Sequence, residues 1–352
     1  MTGSKGVVTV VGGGLAGSEA AWQCARRGIP ARLHEMRPQV PTAVHRSDQL
    51  AELVCSNSFK SLETSSAHGL LKAEMRAAGS LILDAAGRAR IPAGAALAVD
   101  REVFAETVTR TLEEHPLVEI RREEIREIPV EGPVIIATGP LSSEPLAEAI
   151  RELTGENNLA FFDAISPIVD GESIDWEVAF CASRYGKGGG SDYVNCPMTR
   201  DEYDAFRRAL LAAEPANVYD FDRKLLFEGC LPIEELARRG DDTLRFGPLK
   251  PVGLTDPRTG RRPWAVVQLR QDNLAATHWS MVGFQNRLKW GAQKEVFRLI
   301  PGLQEARFVK LGMMHRNTSI NAPRVLRETF QCRSQHELFF AAQLAGVGDH
   351  TE

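Results

Sequence analysis

Two of the cysteines in this chain stand where a thiol could do chemistry. Cys55 lies in Leu53-Val54-Cys55-Ser56-Asn57-Ser58, and Cys230 in Phe227-Glu228-Gly229-Cys230-Leu231-Pro232, both among small polar or turn-forming residues. The thiolate is the nucleophile, so either becomes reactive only beside a base or in surroundings that lower its pKa. Without such help each is what cysteine more often is, a small buried hydrophobe. Cys24 falls inside an amphipathic helical run and reads as core. The six cysteines, at 24, 55, 181, 196, 230 and 332, form no CxxC pair, which argues against a disulfide framework and a zinc site and leaves free thiols. No metal site is expected.

A ligand for such chemistry has an evident cradle. Gly12-Gly13-Gly14-Leu15-Ala16-Gly17 follows the apolar run Val7-Val8-Thr9-Val10-Val11 and precedes a helix-like run from Ser18 to Arg27. In a dinucleotide site Gly12 permits the tight strand-to-helix turn, Gly14 lets backbone approach a pyrophosphate, and Gly17 lets helix pack closely on strand. The phosphates then meet the free N–H groups and positive end of the helix. Eighteen residues beyond Gly17, after a strand-like run from Ala31 to Leu33, comes Glu35. That is the spacing of a carboxylate that accepts hydrogen bonds from ribose hydroxyls, and an acid there favours FAD or NAD over NADP.

These residues need elements to hold them. The chain has 352 residues, beyond the size at which one core usually stops growing, so more than one domain is expected. The glycine turn predicts an α/β fold, a Rossmann-like nucleotide-binding domain with an inserted α+β substrate domain. The boundaries are 1–160 for the first part, 161–305 for the insertion and 306–352 for the return. Val134-Ile135-Ile136-Ala137, stopped by Thr138-Gly139-Pro140, reads as a buried parallel strand ending in a turn, with Gly139 either beside the cofactor or simply turning the chain. Asp100 and Arg101, ahead of a helix to about Glu114, form another edge of the nucleotide pocket or an ordinary helix cap. Within the insertion, Arg200 to Glu214 reads as a charged helix and Gly186 to Gly190 as a loop. Phe308 to Met314 and Leu338 to Leu344 read as the return to the first sheet.

Composition narrows the function. With 43% apolar and 25% charged residues, the chain is an ordinary globular one. It has no apolar run of 18 residues, and its N-terminus enters a strand with no signal-peptide pattern, so a cytoplasmic location with no membrane partner is expected. A net charge of −4 means that any nucleic acid meets a local basic patch. Arg258, Arg261 and Arg262, in a Pro- and Gly-rich hairpin, are candidates for phosphate contact. Arg270-Gln271-Asp272-Asn273, Lys289-Trp290 and His315-Arg316-Asn317-Thr318 suit an anionic or heterocyclic ligand, or are solvated charges.

Nine blocks together resemble a known family. They are Val11 to Trp22 (VGGGLAGSEAAW), Val54 to Ser58 (VCSNS), Gly69 to Met75 (GLLKAEM), Ala98 to Arg101 (AVDR), Asn195 to Met198 (NCPM), Gly247 to Gly253 (GPLKPVG), Val267 to Gln271 (VQLRQ), Val282 to Gln285 (VGFQ) and Met314 to Thr318 (MHRNT). They resemble the folate- and FAD-dependent tRNA (uracil-5-)-methyltransferases of bacteria, a family related to GidA, and the likeness runs from about Val7 to Gly346.

The resemblance implies methylation of the T-loop uridine of tRNA to 5-methyluridine. Methylenetetrahydrofolate would supply the one-carbon unit, reduced FAD the electrons, and NAD(P)H would regenerate the flavin. It implies that Gly12, Gly13, Gly14, Leu15, Ala16, Gly17, Glu35 and Gly139 bind the cofactor. It also implies that Cys230 adds to C6 of uracil and that Cys55, near the flavin, helps remove the C5 proton. The target base must leave its stack, and Trp290 and Phe284 are candidates to receive it. In the family the segment matching Leu338 to Val347 leads into a helix facing the flavin ring and a C-terminal extension, whereas this chain stops at Glu352. Truncation and weakened flavin binding are therefore expected. The alternatives are a catalytically impaired flavin- and tRNA-binding remnant, a related FAD enzyme of the tRNA wobble uridine, and a generic FAD oxidoreductase.

Overall fold

Every residue of Val8–Val11 is buried, as a strand covered on both faces must be. In the computed structural model, which describes residues 6–42, 44–155, 159–216 and 231–346 (backbone alone at 159–163 and 314–318), this strand is the centre of a five-stranded sheet. The strand order is Leu338–Phe340, Val134–Ile136, Val8–Val11, Ala31–Glu35, Val118–Arg122, and each neighbouring pair is parallel. Side chains alternate across a strand. Val8 and Val10 accordingly enter a core with Ala21, Leu33, Leu83 and Phe104, while Val11 enters another with Ile136, Leu146, Ile150 and Phe340. Parallel neighbours need a crossover, and helix Leu15–Arg26 supplies the one between Val8–Val11 and Ala31–Glu35. The fold is α/β and Rossmann-like, as the glycine turn predicts.

Helix Arg101–Glu113 closes the same face. Asp100 caps it, accepting from the Glu102 and Val103 N–H groups at 3.0 and 3.1 Å, a contact that contributes about 1 kcal/mol. Its second carboxylate oxygen accepts from Leu274 N at 2.8 Å, so one residue serves two elements.

A second, six-stranded sheet has the order Phe180–Cys181, Tyr193–Met198, Ala265–Gln271, His278–Met281, Ile168–Asp170, Phe308–Lys310, with antiparallel neighbours. It packs with helices Arg200–Ala212 and Trp290–Phe297 around a core that includes Val194, Phe206, Val267, Phe284 and Phe297. The antiparallel pair Leu159–Ala164 and Met314–Ser319 leads out from the first sheet and back.

Two sequence expectations are corrected by this topology. Phe308–Lys310 does not return to the first sheet; it is an edge strand paired with Ile168–Asp170, and Leu338–Phe340 is what rejoins the parallel sheet. A three-residue apolar strand looks alike in either sheet, and only the packing of Phe308 against the second core selects its partner. Phe284 is not available to a flipped base, because it is fully buried between Phe206 and Phe297, with ring centroids at 6.1 and 5.4 Å.

Candidate active site

A cavity opens where the parallel strands end at their carboxyl termini, the position at which open α/β sheets bind ligands. The glycine turn is its floor. Gly12, Gly13, Gly14, Leu15 and Ala16 line it, with Glu35, Gly139 and Cys55. Gly12 has φ +105°, and a Cβ there would come within 2.6 Å of the Ala137 carbonyl oxygen, so only glycine serves. Gly17 does not line the cavity; a Cβ there would drive into the Gly12 carbonyl oxygen, which is the close helix-on-strand packing expected of it. Around Gly14 the opposite holds. A Cβ would meet nothing within 4 Å, and Gly14 is the N-cap of helix Leu15–Arg26 with no side-chain cap. The first N–H groups of a helix have no partner within it. Open space over them is what a diphosphate requires, so the cradle fits the dinucleotide expected from sequence.

Glu35 ends its strand at the edge of this floor. One carboxylate oxygen accepts from Gly13 N at 3.0 Å and the other from Arg37 N at 3.0 Å and Arg37 Nε at 2.9 Å. Burial pushes the Glu35 pKa up, but the hydrogen bonds and charge of Arg37 and the Gly13 N–H outweigh it, and the carboxyl lies below the usual range. Glu35 is thus a fixed anion, and Gly13 is held to it. Gly139 (φ +61°) begins a short turn, Gly139–Leu141, on the opposite wall.

The cysteine loop is fastened directly to the glycine turn, since Ala51 N donates to Gly13 O at 2.8 Å. Leu53, Val54 and Cys55 follow along the cavity wall. Cys55 is half-buried, and its Sγ lies 3.7 Å from the Ala164 carbonyl oxygen. Three cations grip the loop. Arg101, anchored on Asp272 at 3.2 Å, donates to the carbonyls of Leu53 and Cys55. Lys310 Nζ lies 3.4 Å from Val54 O, and Arg270 donates to Ser56 Oγ at 2.9 Å and Asn57 Oδ1 at 2.8 Å. Burial, then the positive charges of Arg101 and Arg46, bring Lys310 down to about 8. His45, also on the wall, is brought by burial and the nearby Arg37 to about 4, so it is neutral at physiological pH.

Gly12, Gly13, Gly14, Leu15, Ala16, Glu35, Gly139 and Cys55 therefore share one cavity, while Cys230 lies outside the described residues. Asp100 and Arg101 do not line the cavity wall; Asp100 is a helix cap. Arg258 is engaged by Asp256 at 2.9 Å, whereas Arg261 and Arg262 are exposed, as is Trp290 at 64%. Lys289 pairs with Glu214. For 315–318 the structure describes only a strand. Among the described residues no group of His, Cys, Asp and Glu is placed to hold a metal, and no helix is long and apolar enough to cross a membrane. Sequence reasoning missed the grip of Arg101, Arg270 and Lys310 on the cysteine loop. Arg270 alternates with apolar residues on a strand, the one local sign that it was not a solvated charge.

Comparison with known proteins agrees with this geometry. The profile of the family described as Glucose inhibited division protein A matches residues 7–352. A protein of Symbiobacterium thermophilum named methylenetetrahydrofolate--tRNA-(uracil-5-)-methyltransferase TrmFO is 59% identical over 347 residues, covering 98% of this chain and 78% of its own. A protein of the same name in Geobacter sulfurreducens is 56% identical, with 99% and 80% covered. Among solved structures, Aquifex aeolicus GidA superposes with a TM-score of 0.71 at 16% identity. That match covers all of this chain and 62% of the GidA chain, so this chain spans about three fifths of that protein's length.

Proposed function

The chain belongs to the Glucose inhibited division protein A family, and from that membership we propose that it is a methylenetetrahydrofolate- and FAD-dependent tRNA (uracil-5-)-methyltransferase. Its product is 5-methyluridine in the T-loop of tRNA. Relatives at 59% and 56% identity that carry this activity in their names support the substrate. The observation that carries the reading is the single cavity, with an open glycine cradle in its floor and the Cys55 thiol in its wall.

The glycine turn, Glu35 and Gly139 would hold FAD. Bound FAD, reduced by NAD(P)H, would supply the electrons that turn the transferred one-carbon unit into a methyl group. The protein's own residues do the rest. Uracil C5 is a poor nucleophile until a thiolate adds to C6; Cys230 forms that S–C6 bond and the C5=C6 electron pair moves to C5. C5 then bonds to the methylene carbon of the folate. The C5 proton leaves to Cys55, the re-formed double bond expels the Cys230 sulfur, and a free cysteine, a few per cent thiolate at neutral pH, is suited to both tasks. The parts built on the parallel sheet, 1–160 and 306–352, bind the nucleotide, and the inserted part, 161–305, faces the RNA, with Phe308–Lys310 belonging to the insertion's sheet. The enzyme works in the cytoplasm with its tRNA substrate.

The test is covalent trapping. The chain is incubated with methylenetetrahydrofolate, NADPH and a T-arm RNA carrying 5-fluorouracil, whose C5 has no proton to lose. A protein–RNA adduct that vanishes in Cys230→Ser is expected. No adduct in the native chain, together with no 5-methyluridine from ordinary T-arm RNA, overturns the reading in favour of a flavin-binding protein without this turnover.

A further inference from the structure

We propose that Arg101, Arg270 and Lys310 are positioning residues that clamp the Cys55 loop and hold its sulfur in the anionic, reactive form. The inference deepens the reading above and rests on it only for the use to which the sulfur is put.

The clamp grips four consecutive residues around the thiol and leaves the thiol itself to the cavity. Arg101 takes the carbonyls of Leu53 and Cys55, Lys310 that of Val54, and Arg270 the side chains of Ser56 and Asn57. Asn57, fully buried, is fixed further by donating to Val99 O and Gln271 O, both at 3.0 Å. Backbone carbonyls bonded this way cannot rotate without breaking charge-assisted bonds, the stronger kind. The loop therefore presents Cys55 in one direction.

The same groups set the field at the sulfur. Arg37, Arg46, Arg101, Arg270 and Lys310 crowd this end of the cavity against three carboxylates, Glu35, Glu52 and Asp272. Each carboxylate is already engaged, Glu35 and Glu52 by Arg37 and Asp272 by Arg101. His45 is neutral, and burial raises the Tyr193 pKa so that the phenol stays neutral too. An excess of positive charge within a few residues of a thiol favours its charged form. Opposing it is one weak contact, the thiol's 3.7 Å approach to Ala164 O, which favours the protonated form; at that length the cations win. Lys310 itself is cationic over most of the range in which a thiol titrates, being brought by burial to about 8.

The experiment measures alkylation alone, with no RNA or folate present, so failure of the methylation assay and failure of this proposal are distinguishable. The protein as purified is treated with iodoacetamide from pH 5.5 to 9.5; sulfur bonds to the methylene carbon and iodide leaves. Each cysteine is quantified by mass spectrometry, with exposed Cys181 as internal reference. The Cys55 midpoint is expected at least one pH unit below that of Cys181. In Lys310→Met it should rise, slowing Cys55 three- to tenfold at pH 7 with Cys181 unmoved, and Lys310→Arg should restore it. A purely structural role would change accessibility and hence the plateau rate, not the midpoint. A native Cys55 midpoint at or above that of Cys181 overturns the proposal even should Lys310→Met fail to fold, and so does a midpoint unmoved in that variant.

Discussion

Gly14 and Gly17 lie three residues apart on one turn, and alanine at the two positions should do opposite things. At Gly17 a Cβ lies far inside contact with the Gly12 carbonyl oxygen, with the Gly12 carbonyl carbon at 3.0 Å and the Ala137 Cβ at 3.4 Å. Backbone must move to admit it, and overpacking of this kind costs about 1–3 kcal/mol or more. For a domain of this size each kcal/mol lowers Tm by roughly 2–4 °C, so Gly17→Ala should melt several degrees early. At Gly14 the backbone (φ −72°, ψ −167°) is extended, open to any residue, and the added carbon meets nothing within 4 Å. Glycine and alanine differ by only a few tenths of a kcal/mol at a helix N-cap, so Tm should hold within about 2 °C. Yet that carbon stands where the diphosphate must reach the helix N–H groups. One charge-assisted hydrogen bond contributes about 1.5–3 kcal/mol, and 1.4 kcal/mol is a factor of ten. FAD affinity should therefore fall about 10- to 100-fold in Gly14→Ala. Titration of stripped protein by flavin fluorescence, beside a thermal melt, reads both numbers. A Gly14→Ala protein that binds FAD within twofold of native, or a Gly17→Ala protein with native Tm, would refute the reasoning.

Two further variants test the second sheet. Phe284→Ala empties a fully buried site between two aromatic rings and should cost about 3–5 kcal/mol of stability, read from the urea midpoint; a stable variant with only a raised KM for RNA would restore Phe284 to base recognition. Glu234 is 2% exposed, and burial pushes its pKa up to about 7 from 4.5. Between those values the folded state holds a proton that the unfolded chain releases, so native stability should fall as pH rises from 4.5 to 7 and level off above. Glu234→Gln should remove that slope and stabilise the chain at pH 8 by on the order of 2 kcal/mol, and equal urea midpoints for the two proteins at pH 8 would count against it.

The nucleotide cradle was legible from sequence because its determinants are local. A strand, three glycines, a helix and an acid at a set spacing are joined by covalent geometry, and the turn they form depends on few distant residues. Cys55 was legible only as a candidate, since Ser56, Asn57 and Ser58 say that the chain turns there but not what the turn faces. Phe284 and Phe308 were misplaced for a related reason: an aromatic residue in a short apolar run suits a core, an edge strand or a ligand pocket equally well. What the tertiary structure decided is everything that joins chain positions far apart. Arg270 and Lys310 reach the cysteine loop across 214 and 256 residues of sequence, and Arg101 finds Asp272 across 171. Spacing along a chain governs which side chains share a turn or a face, whereas the field at a thiol is a sum over whatever packing brings near. Sequence alone therefore determined that this protein has a place for a dinucleotide, and folding determined which charges surround the sulfur beside it.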